Sequence, residues 1–172
     1  MLIRHLQPTD QPAYAALWHD MLSDQGDYFR IALADEPEPR IPTGYSAGSF
    51  TLGAFDPCGE LLGSVSLDRN RQTKLRHKAL LFRMGVRRSA AGQGVGRALL
   101  QQALASAAQE SGLHHIMLTV LANNSRAIRL YTSAGFRLSG SEPYSVNING
   151  NLIEELHMTC HLPLTPGNQS GF

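Results

Sequence analysis

The chain has 172 residues, enough for one domain with a substantial hydrophobic core. Hydrophobic residues make up 42% and charged residues 17%, which is typical of a globular protein and excludes a disordered or fibrous chain. The formal net charge is only +1, and no apolar run reaches the ~18 residues that a membrane span needs. We therefore expect a protein that binds neither nucleic acid nor membrane, and we interpret the basic segment 69–78 as a solvated loop.

The two cysteines indicate the compartment. Cys58 lies in a Pro-Gly turn and Cys160 is far away in sequence, so they match neither a zinc motif nor a disulfide framework. Residues 1–30 contain no apolar core with a cleavage site that would mark a signal peptide. This pattern predicts reduced thiols and a cytoplasmic protein.

Hydrophobic periodicity and turn residues predict a mixed α/β protein. A first strand is followed by a helix that Thr9 and Asp10 cap, and by a second short helix. Later, a βαβ unit is followed by a helix and two final strands. The predicted strands are 2–6, 50–55, 61–67, 79–86, 116–121, 137–148 and 152–162, and the predicted helices begin at Asp10 and span 23–30, 95–108 and 125–134. Gly85 indicates a bulge in its strand. We expect one domain over residues 1–163 and a disordered tail at 164–172.

A glycine-rich turn, RRSAAGQGVGRALL, joins the strand at 79–86 to the helix at 95–108. Such turns bind phosphate, since glycines allow close backbone approach and helix N-terminal amides carry partial positive charge. A P-loop is excluded because no Gly-Lys-Ser/Thr occurs in the chain. A dinucleotide-binding G-x-G-x-x-G is excluded because the sixth position is Arg97 or Leu99, depending on the starting glycine.

The turn matches a different pattern together with a segment further along the chain. Gly94-Val95-Gly96 follows a strand that ends at Val86, and NSRAIRLYTSAGF begins at Asn124. With these two motifs in this order, the chain resembles the GCN5-related N-acetyltransferase family. That family's turn is usually written Q/R-x-x-G-x-G/A, and here Ala91 stands where Gln or Arg is expected.

The resemblance implies a fold and a bound co-substrate. The fold would be a mixed, mostly antiparallel sheet with two splayed parallel strands, flanked by helices, and acetyl-CoA would lie between those two strands. Its pyrophosphate would accept hydrogen bonds from backbone amides, so Ala91 would still offer its N–H. The residues implied for the acetyl-CoA site are Met84, Gly85, Val86, Ala91, Gly92, Gln93, Gly94, Val95, Gly96, Arg97 and Asn124.

The implied reaction is direct attack of an amine on the acetyl thioester. Tyr131 is at the family position of the acid that protonates the CoA thiolate, although an aromatic residue packed on a helix face explains it too. Asn124 would orient the co-substrate, cap a helix, or do both. Homodimers are common among members of that family, so the resemblance is also compatible with a homodimer here.

The general base stays open at this stage. An amine near pKa ~10.4 must lose a proton at neutral pH, yet the strand at 79–86 contains no acid, unlike that of many relatives. His77 is the best protein base by pKa. The alternatives are a glutamate on the last two strands (Glu142, Glu154 or Glu155) and a water chain.

The acceptor is predicted only as a primary amine on a small molecule or protein. Asp24, Asp27 and Glu142 would attract its charge, and Tyr28, Phe29, Tyr45 and Tyr144 would shape its pocket. His157 and His161 are too far apart in one strand for a metal site, so no metal is expected. The alternative function is a non-catalytic acyl-CoA-binding or sensing module on the same fold.

Overall fold

A seven-stranded sheet is the centre of the computed structural model, which describes residues 1–162; the predicted tail at 164–172 lies outside the described residues. The strand order is β1-β2-β3-β4-β5-β7-β6. The strands are β1 (Leu2–His5), β2 (Phe50–Phe55), β3 (Leu61–Arg69), β4 (Lys78–Val86), β5 (His115–Leu121), β6 (Arg137–Ile148) and β7 (Asn151–His161), and the helices are α1 (Gln11–Gln25), α2 (Val95–Ala108) and α3 (Ser125–Ser133). No helix within residues 1–162 is both long and apolar enough to span a membrane.

The predicted architecture is confirmed, because β4 and β5 are parallel and the other sheet neighbours are antiparallel. One predicted element is wrong. Residues 23–30 do not form a separate helix: α1 continues to Gln25, and a single 3-10 turn, Gly26–Tyr28, follows it. The apolar face of α1 extends through Met21 and Leu22 without interruption, so the helix ends only at Gly26.

Two hydrophobic clusters lie on opposite faces of the sheet. Ala54 belongs to the larger cluster under α2 and α3, and its neighbour Phe55 belongs to the smaller one under α1. Successive residues of a strand point to opposite faces, so α1 covers one face and the other two helices cover the opposite one. Trp18 of α1 is 1% exposed and its indole Nε1 donates to Ser64 Oγ at 3.2 Å, which fixes α1 against β3.

The two parallel strands separate after a short contact. Lys78–Leu80 pair with His115–Met117, and the pairing stops there although both strands continue. On its other side β4 has a bulge, since Ser66 pairs with Phe82 while Ser64 pairs with Gly85. Two residues of β4, Arg83 with a positive φ of 48° and Met84, therefore oppose Val65 alone, and the bulge lies just before the glycine that the sequence indicated. Because a bulge bends its strand, it turns the second half of β4 away from β5 and opens the sheet.

Candidate active site

A cleft of ≈ 700 Å³ occupies the opening between β4 and β5. Its walls come from residues 80–86 of β4, the end of β5, the glycine turn, α2 and α3 near their first turns, residues 28–31 and Glu155 of β7. All the residues predicted for the acetyl-CoA site line this cleft except Gln93, and Tyr131 lines it as well. A more open groove of ≈ 610 Å³ between α1 and residues 37–40 contains none of them.

The glycine turn has the backbone that its sequence requires. Gly92 and Gly94 have φ values of +82° and +81°, in the region where a side chain costs roughly 1–2 kcal/mol. A Cβ built on either residue would meet no atom within 4 Å, so the space beside both is open. Gly94 is also the residue that precedes α2. The turn therefore exposes backbone, and not side chains, at the start of a helix.

The hydrogen bonds of the turn correct one sequence-based expectation. Ala91 does not present its N–H to a ligand, since that group donates to the carbonyl of Arg88 at 3.1 Å. Gln93 is exposed, but its polar groups bond within the turn: its N–H donates to Ala90 O at 3.4 Å and its side-chain Nε2 to Ser89 O at 3.0 Å. The first backbone N–H of α2 with a helical acceptor is that of Ala98, which donates to Gly94 O. The amides of residues 95–97, as in the first turn of any helix, have no intrahelical acceptor.

The first turn of α3 lines the same cleft. Asn124 caps this helix through Oδ1, which accepts from Ala127 N at 3.1 Å, and its side chain also lines the cleft. The position of Asn124 is thus compatible with both predicted roles, capping α3 and orienting the co-substrate. Arg126 lines the cleft beside it, and Arg97 does so from α2. Arg126 is not among the predicted site residues, although its place just after a helix cap was a readable signal for an anion-binding site.

Tyr131 approaches the cleft from α3 with its ring buried. It is 7% exposed and packs edge-on against Phe136, with ring centroids 5.8 Å apart. Burial raises the pKa of Tyr131 to about 12, because the phenolate loses more hydration than the neutral phenol does. The phenol is therefore protonated at every physiological pH and can act as a proton donor.

His77 lies away from the cleft. It precedes β4, and its carbonyl accepts from the N–H groups of His114 and His115 at 2.9 and 3.0 Å. The cleft lining begins at Leu80, three residues further along β4, and does not include His77. His77 is therefore separate from Tyr131 and the other predicted site residues, which do line the cleft.

Among residues 1–162, one carboxylate lines the cleft, that of Glu155. It lies on the face of the sheet that carries α1. The side chain is 3% exposed, and Oε2 lies 3.3 Å from Nη1 of Arg30. Asp24, Asp27 and Glu142 do not line the cleft. Of the aromatic residues expected there, Tyr28 and Phe29 do so, whereas Tyr45 packs edge-on against His5 and Tyr144 is 75% exposed on β6.

Three comparisons with known proteins agree with this geometry. Residues 17–136 match the Acetyltransferase (GNAT) family. The mycothiol acetyltransferase of Salinispora tropica is 31% identical over 127 residues, which cover 74% of this chain and 41% of that protein. A GCN5-related N-acetyltransferase from Kribbella flavida superposes with a TM-score of 0.80 at 27% identity, covering 94% of this chain and 97% of that one. The protein yncA of Salmonella typhimurium, solved with its cofactor acetyl-CoA, has a TM-score of 0.78 at 17% identity and 99% coverage of both chains.

The fold and the family match define the class of protein: this chain belongs to the acetyltransferase (GNAT) family, as the two motifs predicted. The family consists of enzymes that use acetyl-CoA. The chain spans less than half the length of the curated mycothiol acetyltransferase it matches, 41% of it.

Proposed function

We propose that the chain transfers the acetyl group of acetyl-CoA directly to a primary amine. The observation that carries this proposal is the convergence of three features on one cleft: an opened parallel strand pair, two helix N-termini and a buried, protonated tyrosine. The likeness to yncA, which was solved with acetyl-CoA, supports the choice of co-substrate. Two free thiols, Cys58 and Cys160, support our proposal of a reducing, cytoplasmic location.

The residues present fit the pyrophosphate of acetyl-CoA. The space beside Gly92 and Gly94 would be filled by any Cβ, and the free amides of residues 95–97 point out of the start of α2. Arg97 and Arg126 add positive charge from two helices. The missing Gln or Arg at position 91 is consistent with this arrangement, since backbone amides and these two arginines supply the donors. Met84, Gly85 and Val86 would flank the pantetheine arm along the open edge of β4.

Tyr131 would supply the proton for the leaving thiolate. As the C–S bond breaks, the electron pair goes to sulfur, whose thiol pKa is near ~8.5, and the phenol proton can follow it. Replacing Tyr131 with Phe removes this proton but keeps the ring that packs on Phe136. We expect CoA release to fall by ~10²–10⁴ while the Kd of acetyl-CoA changes by less than about threefold.

The measurement is release of free thiol from acetyl-CoA with a panel of primary amines. Tyr45→Phe is the matched control, because Tyr45 is 72% exposed and lies outside the cleft. Tight acetyl-CoA binding with no thiol release from any amine would favour the sensing module instead. Equal turnover of Tyr131→Phe and Tyr45→Phe would remove Tyr131 from the acid role.

A further inference from the structure

Glu155 is a buried carboxylate that lines the cleft from β7. It is 2% exposed and pairs across the strands with Leu121, the last residue of β5, where the sheet has already opened. On the same strand, Met158 belongs to the cluster under α2 and α3, and Leu156 packs against that cluster. Alternation along the strand therefore directs Glu155 to the other face of the sheet, opposite to Tyr131.

The charge of Glu155 has little compensation from the protein. Its only ion-pair partner among residues 1–162 is Arg30, whose side chain is 60% exposed. Removing a carboxylate from water costs several kcal/mol unless it is paired and hydrogen-bonded. An exposed arginine in a non-helical segment is a partner that another cation can replace or join. The site is therefore suited to receive a second positive charge from the cleft.

We propose, on the basis of the acetyl transfer proposed above, that Glu155 binds the ammonium group of the acceptor and is the base that deprotonates it. The carboxylate takes one N–H proton, which leaves a neutral amine and a neutral carboxylic acid. The nitrogen lone pair then forms the C–N bond with the thioester carbon, and the C–S bond breaks with the electron pair going to sulfur. The thiolate takes the Tyr131 proton, and the phenolate regains a proton from the second N–H of the new amide nitrogen. The reaction releases one proton in total, which stays on Glu155.

That proton has a path to solvent through two neighbouring side chains. Glu142 pairs with Glu155 across β6 and β7, and His157 lies on the same face of β7. A carboxylate oxygen of each glutamate and a ring nitrogen of His157 all lie within 4.8 Å of one another. Nε2 of His157 is buried and lacks a hydrogen-bond partner within residues 1–162, while Glu142 is exposed. Arg30, Glu142 and His157 are thus charged or titratable neighbours of Glu155 among residues 1–162.

The other candidate bases have unsuitable positions. His77 does not line the cleft, and Glu154 is exposed, lies outside the lining and points to the opposite face of β7 from Glu155. Asp24 and Asp27 lie outside the cleft lining. Glu154 therefore serves as a matched control: it has the same side chain, lies one residue away and faces away from the cleft.

The test compares Glu155→Gln with Glu154→Gln on two amines of similar size. Ethylamine is an ammonium ion at pH 7.5 and needs a base, whereas the fluorines of 2,2,2-trifluoroethylamine lower its pKa so far that it is already neutral. For ethylamine we expect kcat/KM of Glu155→Gln to fall by ~10²–10⁴. For trifluoroethylamine, kcat/KM of Glu155→Gln should stay within about tenfold of that of the unmodified protein. Glu154→Gln should match the unmodified protein with both amines.

Three results would overturn the role of Glu155 while leaving acetyl transfer intact. The first is an equal loss with both amines, since a purely structural defect does not depend on the charge of the acceptor. The second is ethylamine turnover by Glu155→Gln within threefold of the unmodified protein. The third is loss of turnover in EDTA that Zn²⁺ restores, because Glu142, Glu155 and His157 would then hold a metal. If the unmodified protein acetylates no amine although it binds acetyl-CoA, the proposed function fails first, and the role of Glu155 with it.

Discussion

At the scale of single residues, burial determines what each functional group can do. Tyr131 and Glu155 are both almost inaccessible, at 7% and 2% exposure, yet both line the cleft. Burial favours the neutral phenol, which keeps a proton available for a leaving group. Because the carboxylate of Glu155 is buried, its attraction to a cation that binds beside it is stronger than in water. The two residues are thus suited to opposite halves of one proton-transfer reaction.

The raised pKa of Tyr131 predicts a specific loss of stability in alkali. Because the folded pKa is about 12 against 10 when unfolded, the folded protein holds this proton more tightly. The resulting stability is complete below pH 10 and is lost as the pH rises towards 12. Between pH 8 and 11.5 this amounts to about 2 kcal/mol of unfolding free energy, by linkage.

The measurement is the free energy of urea unfolding at pH 8 and at pH 11.5, for the unmodified protein and for Tyr131→Phe. The variant should lose about 2 kcal/mol less than the unmodified protein does. Burial also raises the pKa of Tyr14, so the absolute loss includes that residue and only the difference between the two proteins isolates Tyr131. Equal losses would show that Tyr131 titrates normally in the folded state.

At the scale of elements, two helices begin at the rim of the opening between β4 and β5. The bulge at Arg83 bends β4, and an ion pair between Arg83 and Glu36 ties the bulge to the segment that follows α1. The N-terminal amides of α2 and α3 then lie at one cleft, each with an arginine beside them. Partial positive charge from two helix ends favours an anionic ligand there.

Asn124 allows the helix-capping role and the ligand-orienting role to be separated. Asn124→Ala should lose about 1 kcal/mol of unfolding free energy because the bond from Ala127 N disappears. Asn124→Asp keeps the cap and its stability but adds a negative charge at the cleft. Unit charges 4 Å apart in water repel by about 1 kcal/mol, so we expect acetyl-CoA to bind about fivefold more weakly or worse. Asn124→Ser, a capping residue without charge, is the control in calorimetric titrations. An unchanged Kd for the Asp variant would leave Asn124 with the cap alone.

At the scale of the whole molecule, the cleft passes between the two faces of the sheet. Tyr131 and the N-terminal amides of α2 approach it from the side of α2 and α3, while Glu155, Arg30 and Trp18 approach it from the side of α1. Under the proposed acetyl transfer, the acyl donor and the acceptor would enter from opposite faces and meet where the two strands have separated. The proposed site would then use parts of nearly every element.

Ligand-linked stability tests the cleft as a unit. Acetyl-CoA at 100 times its Kd should stabilise the fold by about 2.7 kcal/mol, which raises Tm by roughly 5–11 °C for a domain of this size. Gly94→Ala should abolish most of this shift, because its Cβ would occupy the space beside the turn.

The control for Gly94→Ala is Gly59→Ala in the turn between β2 and β3. Gly59 has a φ of +87° and also no atom within 4 Å of a built Cβ, so both variants have the same backbone strain. Scanning fluorimetry with and without acetyl-CoA should give similar Tm values for the two free variants and a full ligand shift only for Gly59→Ala. A full shift in both variants would mean that the pyrophosphate binds elsewhere.

Some features of the fold and site could be read from local sequence. The start of α2 at Val95 and the ends of β2 and β6 agree with prediction, because turn residues and alternation depend on neighbours in the chain. Likewise, positive φ at Gly92 and Gly94 follows from the pattern of the turn. The missed 3-10 turn after α1 is a boundary error of the same local kind, since polar residues 23–25 suit a helix end and a helix start equally.

By itself, the sequence determined the family, the order of the elements and the location of the glycine turn. Each of these depends on short motifs and on periodicity within one segment. Only the tertiary structure decided that the Ala91 amide is engaged, that His77 does not line the cleft and that Glu155 lines it while Glu154 does not. Those facts depend on how strands distant in sequence pair and separate, and a one-residue change of register would exchange the two glutamates between the faces of the sheet.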